Sequence, residues 1–507
     1  MNYAGVSTVT TIGLNVLPVT VEVDVDRRAV IYDIDIVGLG DTVVKESKKR
    51  VKSALKNSGF GIPQGRITVN LAPSDVKKEG SYLDLPIAVG MLQAAEVLNR
   101  DIGEFVFFGE LGLDGTLRKV RGVLPILLSL SQGKNRAAVI LPIENAREAS
   151  AVRGLKVYAV RDLKDLVSFL NGYSKKTPVE FVQPDLEHAV SADISDVKGH
   201  DFAKRAAEIA AAGQHNISFR GSPGCGKTML ARRIPGILPR MTMEEALETT
   251  MIYSIAGLLD DKGLISERPF RSPHHTASTT AIIGGGTDAR PGEISLANNG
   301  VLFLDEFPEF RKDVIEALRQ PIEDGTVTIA RAKLTVRYPS RFMFVVAQNP
   351  CACGWYGDNV HECTCSWNDI RRYNRKVSGP MEDRIDIFVD MPRLEFKEYA
   401  SRTSAETSLQ VRERVERARK RQLDRLSAFR LRSNSQMTHK LVQKMASLDS
   451  AGGKLLESAI EKMKLTGRSI DRVLKVARTI ADLDDEETVL ARHLAEALQY
   501  RKKTLEL

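Results

Sequence analysis

Gly221-Ser222-Pro223-Gly224-Cys225-Gly226-Lys227-Thr228 decides how this chain is read. The eight residues match G-x-x-x-x-G-K-[ST], the phosphate-binding P-loop. An apolar run from Asn216 to Arg220 predicts a strand before them, and Met229 to Ile234 predicts a helix after them. Strand, glycine-rich turn and helix are the context the motif needs. Glycines let backbone N–H groups close around phosphates, and a helix N-terminus adds partial positive charge. In that arrangement Lys227 reaches the β- and γ-phosphates of ATP and Thr228 ligates Mg²⁺. A chain of 507 residues and average usage holds on the order of 0.02 such matches by chance, so nucleotide binding is the reading to carry outward.

Downstream stands Val301-Leu302-Phe303-Leu304-Asp305-Glu306. Four apolar residues fit a buried parallel strand. Two carboxylates at its carboxyl end fit the ligand-binding edge of a doubly wound sheet. Asp305 is expected in the Mg²⁺ shell, and Glu306 is expected to polarise the attacking water. A strand that merely closes on an acidic turn is the alternative. Phe342 to Ala347 predicts a further strand, followed by Gln348-Asn349-Pro350, and the Asn349 amide would hold water against the γ-phosphate. Arg384, in the loop Ser378 to Asp386, suits an arginine finger supplied to a neighbouring subunit. Arg468, at the head of a late helical run, is expected to contact phosphate within its own subunit. Each arginine alone reads first as a solvated charge.

Length and composition bound the rest. The 507 residues predict three or four domains, with cores large enough to need no disulfides. A net charge of +8 permits nucleic-acid binding without requiring it. The polar opening does not read as a signal peptide, and no apolar run approaches the roughly 20 residues of a membrane span. A cytoplasmic protein without a membrane partner is expected. Four of the five cysteines cluster, which reads as metal in a reducing compartment rather than as disulfides. Cys351, Cys353, Cys363 and Cys365 form C-x-C-x9-C-x-C, a candidate tetrahedral Zn²⁺ site, with reduced surface cysteines as the alternative. Residues Val411 to Lys440 carry ten Lys or Arg against three Asp or Glu, which favours a polyanionic partner.

Four segments are expected. Residues 1–172 alternate strand and helix patterns: Val19 to Val25 has period two, Val43 to Ser58 has helical spacing, and Ala137 to Pro142 and Val157 to Val160 read as short strands. Residues 173–192 read as a linker, 193–394 as the nucleotide-binding core, and 395–507 as helical. Thr326 to Ala330 and Leu334 to Arg337 flank Arg331-Ala332-Lys333, which predicts a β-hairpin with a basic tip. Arg331 and Lys333 would track a phosphate backbone, or form an ordinary solvated turn.

The order of P-loop, acidic strand, Asn349, Arg384 and a helical end bearing Arg468 resembles an AAA+ ATPase with a helical lid. Four longer strings carry a narrower resemblance: Arg268 to His275, Ile283 to Gly286, Pro291 to Ala297, and Asn349-Pro350-Cys351. They look like the ComM/YifB family of magnesium-chelatase-like ATPases. Asn298, where that family usually has histidine, and Met381-Glu382, in place of a more apolar pair, are departures. The resemblance implies a homo-oligomeric ring, a hexamer, hydrolysing ATP between subunits. It also implies a DNA helicase acting on single-stranded and branched DNA, promoting branch migration in natural transformation. A chelatase-like or protein-remodelling motor without a DNA substrate is the alternative.

Residues 4–172 resemble the Lon protease domain, an α+β fold, through Gly38 to Asp41, Lys78 to Leu83, Gly109 to Gly112 and Leu141 to Asn145. Such proteases use a serine activated by a lysine. Tyr82 falls where the serine would be and Leu124 where the lysine would be, so the resemblance implies the fold without the protease.

Overall fold

The computed structural model describes residues 3–29, 33–38, 40, 42–74, 78, 80–133, 137–183, 192–259, 263–286, 289–331, 334–394 and 406–502. Lys333 lies outside them, as do Leu39, Asp41 and Glu79 of the Lon-like strings. The chain forms two compact units. One is Met1–Asp185 with Ala246–Ile265, and the other is Leu186–Glu245 with Ser266–Leu507. The return of residues 246–265 to the first unit is not visible in a contiguous reading. Its contacts there are specific: the Gly122 amide donates to Ser254 O at 3.2 Å, and the Ser254 hydroxyl donates to Glu148 Oε1 at 2.5 Å.

The first unit contains β1 (Tyr3–Ile12), β2 (Asn15–Asp26), β3 (Ile34–Val37), α1 (Thr42–Asn57), β4 (Arg66–Ala72), α2 (Asp84–Ala94), β5 (Phe105–Phe107), β6 (Ala138–Pro142) and β7 (Val157–Val160). The strands make one mixed sheet in the order β3-β4-β2-β1-β5-β6-β7. β2 is antiparallel to β1 and β4, and the other neighbours are parallel. Period two works as expected in β2, where Val19, Val21, Val23 and Val25 are all buried. α1 buries Val44, Val51 and Leu55 at helical spacing. α2 is different: Leu85 through Leu92 are all buried, so it shows no polar face.

In the second unit a helix over Asp201–Gly213 precedes β8 (Ile217–Arg220) and α3 (Lys227–Ala231). The unit continues with β9 (Phe270–Arg271), α4 (Thr279–Ile283), β10 (Gly284–Gly285), β11 (Arg290–Pro291) and β12 (Val301–Leu304). Then come β13 (Thr326–Arg331), β14 (Leu334–Pro339), β15 (Met343–Gln348), α5 (Trp367–Asn374), β16 (Ile387–Asp390), α6 (Ser408–Leu426) and α7 (Gly467–Leu483). Five strands form a wholly parallel sheet in the order β9-β12-β15-β8-β16.

Both faces of that sheet are covered, which explains why its strands read as continuous apolar runs. Val301, Phe303, Val345 and Ala347 pack into one core, together with Val411 and Val415 of α6 and Val473 and Ile480 of α7. Leu302, Leu304, Phe344 and Val346 pack into the other, with Phe307, Val314 and Met381. Full burial of such side chains is worth about 1.5–3 kcal/mol each. The helical run expected from Met229 to Ile234 is broken: α3 stops at Ala231 and a second short helix starts at Ile234. Pro235 is the cause, because it lacks an N–H and its ring clashes with the carbonyl four residues back.

β13 and β14 pair from Thr326↔Pro339 to Arg331↔Leu334, which puts Arg331 at the end of the paired strands. A second, smaller hairpin, β10–β11, lies beside it. A Cβ built on Gly285 would stand 2.8 Å from Arg331 Nη2.

Candidate nucleotide-hydrolysis site

The P-loop leaves β8 at the carboxyl edge of the parallel sheet, and the glycines are there for space and backbone angle. A Cβ on Gly221 would meet Met391 O at 2.3 Å. Gly226 has φ 93° and hands the chain to α3. Lys227 is almost fully buried, and its Nζ donates to Gly221 O at 2.7 Å, Ser222 O at 2.9 Å and Asn349 Oδ1 at 3.2 Å. Thr228 Oγ1 donates to Asp305 Oδ2 at 2.7 Å. Lys227, Thr228, Asp305 and Asn349 are thus brought together across three adjacent strands. Ser222, Pro223 and Gly224 complete the loop. The Cys225 thiol is pushed up by burial and stays a neutral part of it.

Glu306 follows Asp305 in the left-handed region, at φ 51°. That conformation costs a side-chain-bearing residue roughly 1–2 kcal/mol. It turns the carboxylate outward, half exposed, with Oε2 3.4 Å from His275 Nδ1. Arg271, on the neighbouring strand β9, grips Glu293 through two bonds of 2.6 and 2.7 Å. The histidine-bearing string and the Pro291 to Ala297 string are therefore one assembly beside Glu306.

One element beside the loop was missed in sequence. Ile194 and Val197 sit next to the stretch read as linker, yet with His200, Pro392, Leu394 and Val411 they line a cavity of about 790 Å³. His200 Nε2 would lie 3.8 Å from a Cβ on Gly226, so the cavity adjoins the P-loop. Two buried apolar residues inside a polar stretch were the available signal.

Arg384 and Arg468 lie at the other edge. They line a cleft of about 760 Å³ with Asn216, Phe342 and Asp386, which stand just before β8, β15 and β16. Arg341, Arg430, Arg432 and Lys475 line it too. Arg384 is mostly buried, pairing with Glu323 Oε1 at 2.6 Å and donating to Arg319 O at 3.2 Å. Arg468, expected to contact phosphate in its own subunit, stands at this edge with Arg384. β8 is four residues long, about 13 Å, and separates this edge from Lys227. α7 is pinned there by Arg472, which donates to Asp383 Oδ1 at 2.8 Å and Ile385 O at 3.2 Å.

Comparison with known proteins agrees with this geometry. Residues 193–399 match the family described as magnesium chelatase, subunit ChlI, and residues 405–501 match that subunit's C-terminal family. Residues 21–145 match a family described as subunit ChlI of Mg-chelatase. Competence protein ComM of Haemophilus influenzae is 44% identical over 475 residues, covering 92% of this chain and 91% of that protein. This chain belongs to the ComM/YifB family of magnesium-chelatase-like AAA+ proteins. YifB of Escherichia coli is 40% identical over 507 residues, covering 99% and 97% of the two chains. A more distant likeness, 25% over 302 residues, is to DNA replication licensing factor Mcm6 of Drosophila melanogaster. The match over residues 21–145 carries a chelatase description, so the first unit does not by itself argue against a chelatase-like motor.

Cys351, Cys353, Cys363 and Cys365 converge. Their sulfurs all lie within 4.8 Å of one another, with Cys351···Cys353 at 3.3 Å and Cys363 at 3.6 Å from both. A zinc tetrahedron with Zn–S bonds of about 2.3 Å has edges of about 3.8 Å, so the donor set fits. Burial opposes ionisation of Cys353, but hydrogen bonding from the Trp355 amide and the Cys351 thiol draws it down to about 6. The segment abuts the nucleotide loop, since a Cβ on Gly354 would come within 2.8 Å of the Pro223 ring.

In the first unit, the positions singled out by the Lon resemblance hold no nucleophile–base pair. Tyr82 is buried, its hydroxyl 2.7 Å from Thr10 Oγ1. Leu124 is fully buried, and its amide donates to Glu148 Oε1 at 2.9 Å. Ser81 donates its hydroxyl proton to Glu110.

Proposed function

We propose that this chain is the subunit of an ATP-hydrolysing ring, a cytoplasmic hexamer, that acts on single-stranded and branched DNA and drives branch migration in natural transformation. One observation carries the reading. Lys227, Thr228, Asp305, Glu306 and Asn349 stand at one sheet edge, while Arg384 and Arg468 stand at the other, where another copy can use them. A site split between two edges is completed by head-to-tail contact, which closes into a ring.

In this reading Lys227 neutralises the phosphates, Thr228 and Asp305 hold Mg²⁺, and Asn349 orients the water that Glu306 polarises. The neighbour's Arg384 and Arg468 neutralise charge that grows on the transferred phosphoryl group. The cavity beside His200 takes the nucleoside. Zn²⁺, held by the four cysteines, orders the segment against Pro223. The first unit is a Lon-like fold used for assembly or guidance. DNA as the substrate is supported by the 44% identity to a competence protein and by the hairpin that ends at Arg331, which Lys333 follows in the sequence.

The ATPase rate with and without single-stranded or branched DNA tests this, and stimulation is expected. The chelatase-like or protein-remodelling reading, favoured by the family descriptions, expects no response to DNA.

A further inference from the structure

The outward face of α5 has no role in the nucleotide site or in the hairpins. Asn368, Arg371 and Arg372 on α5, with Arg375 and Lys376 in the turn that ends it, share one shallow depression of about 510 Å³. The opposite face buries Ile370 and Tyr373 in the core, so the cationic face is fixed outward. Arg372 pairs with Asp369 and Lys376 with Glu309, both at 2.8 Å. Arg371 and Arg375 are exposed and make no ion pair among the described residues.

A large aromatic residue stands at the head of this face. Trp367 is 54% exposed and touches Tyr356 edge-on, with ring centroids 5.7 Å apart. Its position is set by the cysteine cluster. Cys365 is followed by Ser366, which caps α5 in a reciprocal capping box with Asp369. An exposed indole beside unpaired guanidinium groups is costly to leave in water and suits a partner with both a flat apolar face and a negative backbone. Unstacked bases on a phosphate chain supply both.

We propose that the α5 face, with Trp367 as its stacking platform, is a docking surface for single-stranded nucleic acid, separate from the hairpins. This rests on the reading of the protein as a DNA motor. Arg371 and Arg375 contact successive phosphates, and Trp367 takes a base released from its stack. A duplex, whose bases are already stacked, gains only the charge contacts.

The chain's two tryptophans, Trp355 and Trp367, make the test direct. In full-length Trp355→Phe protein, Trp367 is the sole indole. Titration with oligothymidylate at several salt concentrations should quench its emission. Arg371→Ala with Arg375→Ala should reduce the salt slope by about 1.4 units and weaken binding about tenfold near 0.15 M salt. Basal ATP turnover should stay within about twofold, and the Arg→Lys pair should recover most of the affinity. Trp367→Ala should weaken binding about fivefold or more.

Three results would overturn the proposal. Parent protein that binds oligothymidylate without quenching, and as tightly as the arginine variant, removes this surface and leaves the motor reading standing. An arginine variant that loses basal turnover, and regains it when mixed with Lys227→Ala, assigns the face to a neighbour's nucleotide. Parent protein that binds no DNA at any salt ends the motor reading and this proposal together.

Discussion

The carboxyl edge of the second unit's sheet and the corner of the first unit around Tyr82 are both dense in polar side chains, but only one is arranged for chemistry. At the edge, Lys227, Thr228, Asp305 and Asn349 converge from separate strands on one place, and Glu306 is half exposed beside it. In the corner, polar groups are consumed in pairs. Tyr82 meets Thr10, Ser81 meets Glu110, and the fully buried Asp84 takes two bonds from Arg50, at 2.7 and 3.0 Å, and one from the Leu111 amide at 3.2 Å. Reactive residue types do not make a site. A site needs groups aimed at a common point that a substrate can reach, and a hydroxyl without a base is a weak nucleophile.

The largest effect should come from Arg384, the arginine that the proposed ring offers to a second copy. Arg384→Ala should lower ATP turnover by about 10³-fold while nucleotide binding persists. Mixing it with Lys227→Ala protein should restore measurable turnover, because some interfaces then pair an intact loop with an intact arginine. The same mixing should rescue Arg468→Ala. Failure of rescue in rings shown to be mixed would return both arginines to their own subunit.

Next in size, Glu306→Gln should cut turnover about 10²–10³-fold with ATP still bound. The matched change in the corner, Ser81→Ala with Tyr82→Phe, should leave ATP turnover and DNA binding within about twofold. A peptidase or ATPase loss from that double variant would erase the contrast between the two regions.

The smallest effect should be on stability. Removing one partner of a buried ion pair strands the other, at a cost of about 3 kcal/mol. Asp84→Ala should therefore lower the unfolding midpoint of the first unit, read by differential scanning calorimetry, without the fall in turnover that Glu306→Gln produces. An unchanged midpoint would mean that Arg50 finds another carboxylate.

Local chemistry made the carboxyl edge legible. The P-loop is eight contiguous residues, and β12 announces itself as four apolar residues followed by Asp305 and Glu306, because a doubly covered parallel strand has no polar face to show. Period two in β2 and helical spacing in α1 were equally direct. What stayed hidden depends on tertiary placement. α2 is buried all round and so carries no 3.6-residue pattern. The return of residues 246–265 to the first unit follows from contacts such as Ser254 with Glu148, which no local pattern encodes. Arg468 heads a predictable helix, but which sheet edge that helix reaches is decided by Arg472 and the Asp383 carboxylate, 89 positions apart. The cavity beside His200 is built from three separate chain segments, one of them next to the apparent linker.

The most direct test of the central claim is movement of a branched DNA junction by the purified ring with ATP and Mg²⁺. Parent protein should resolve a synthetic junction by branch migration, and Glu306→Gln protein should bind it without moving it. A parent ring that hydrolyses ATP at a rate indifferent to DNA, and leaves the junction in place, would contradict the claim.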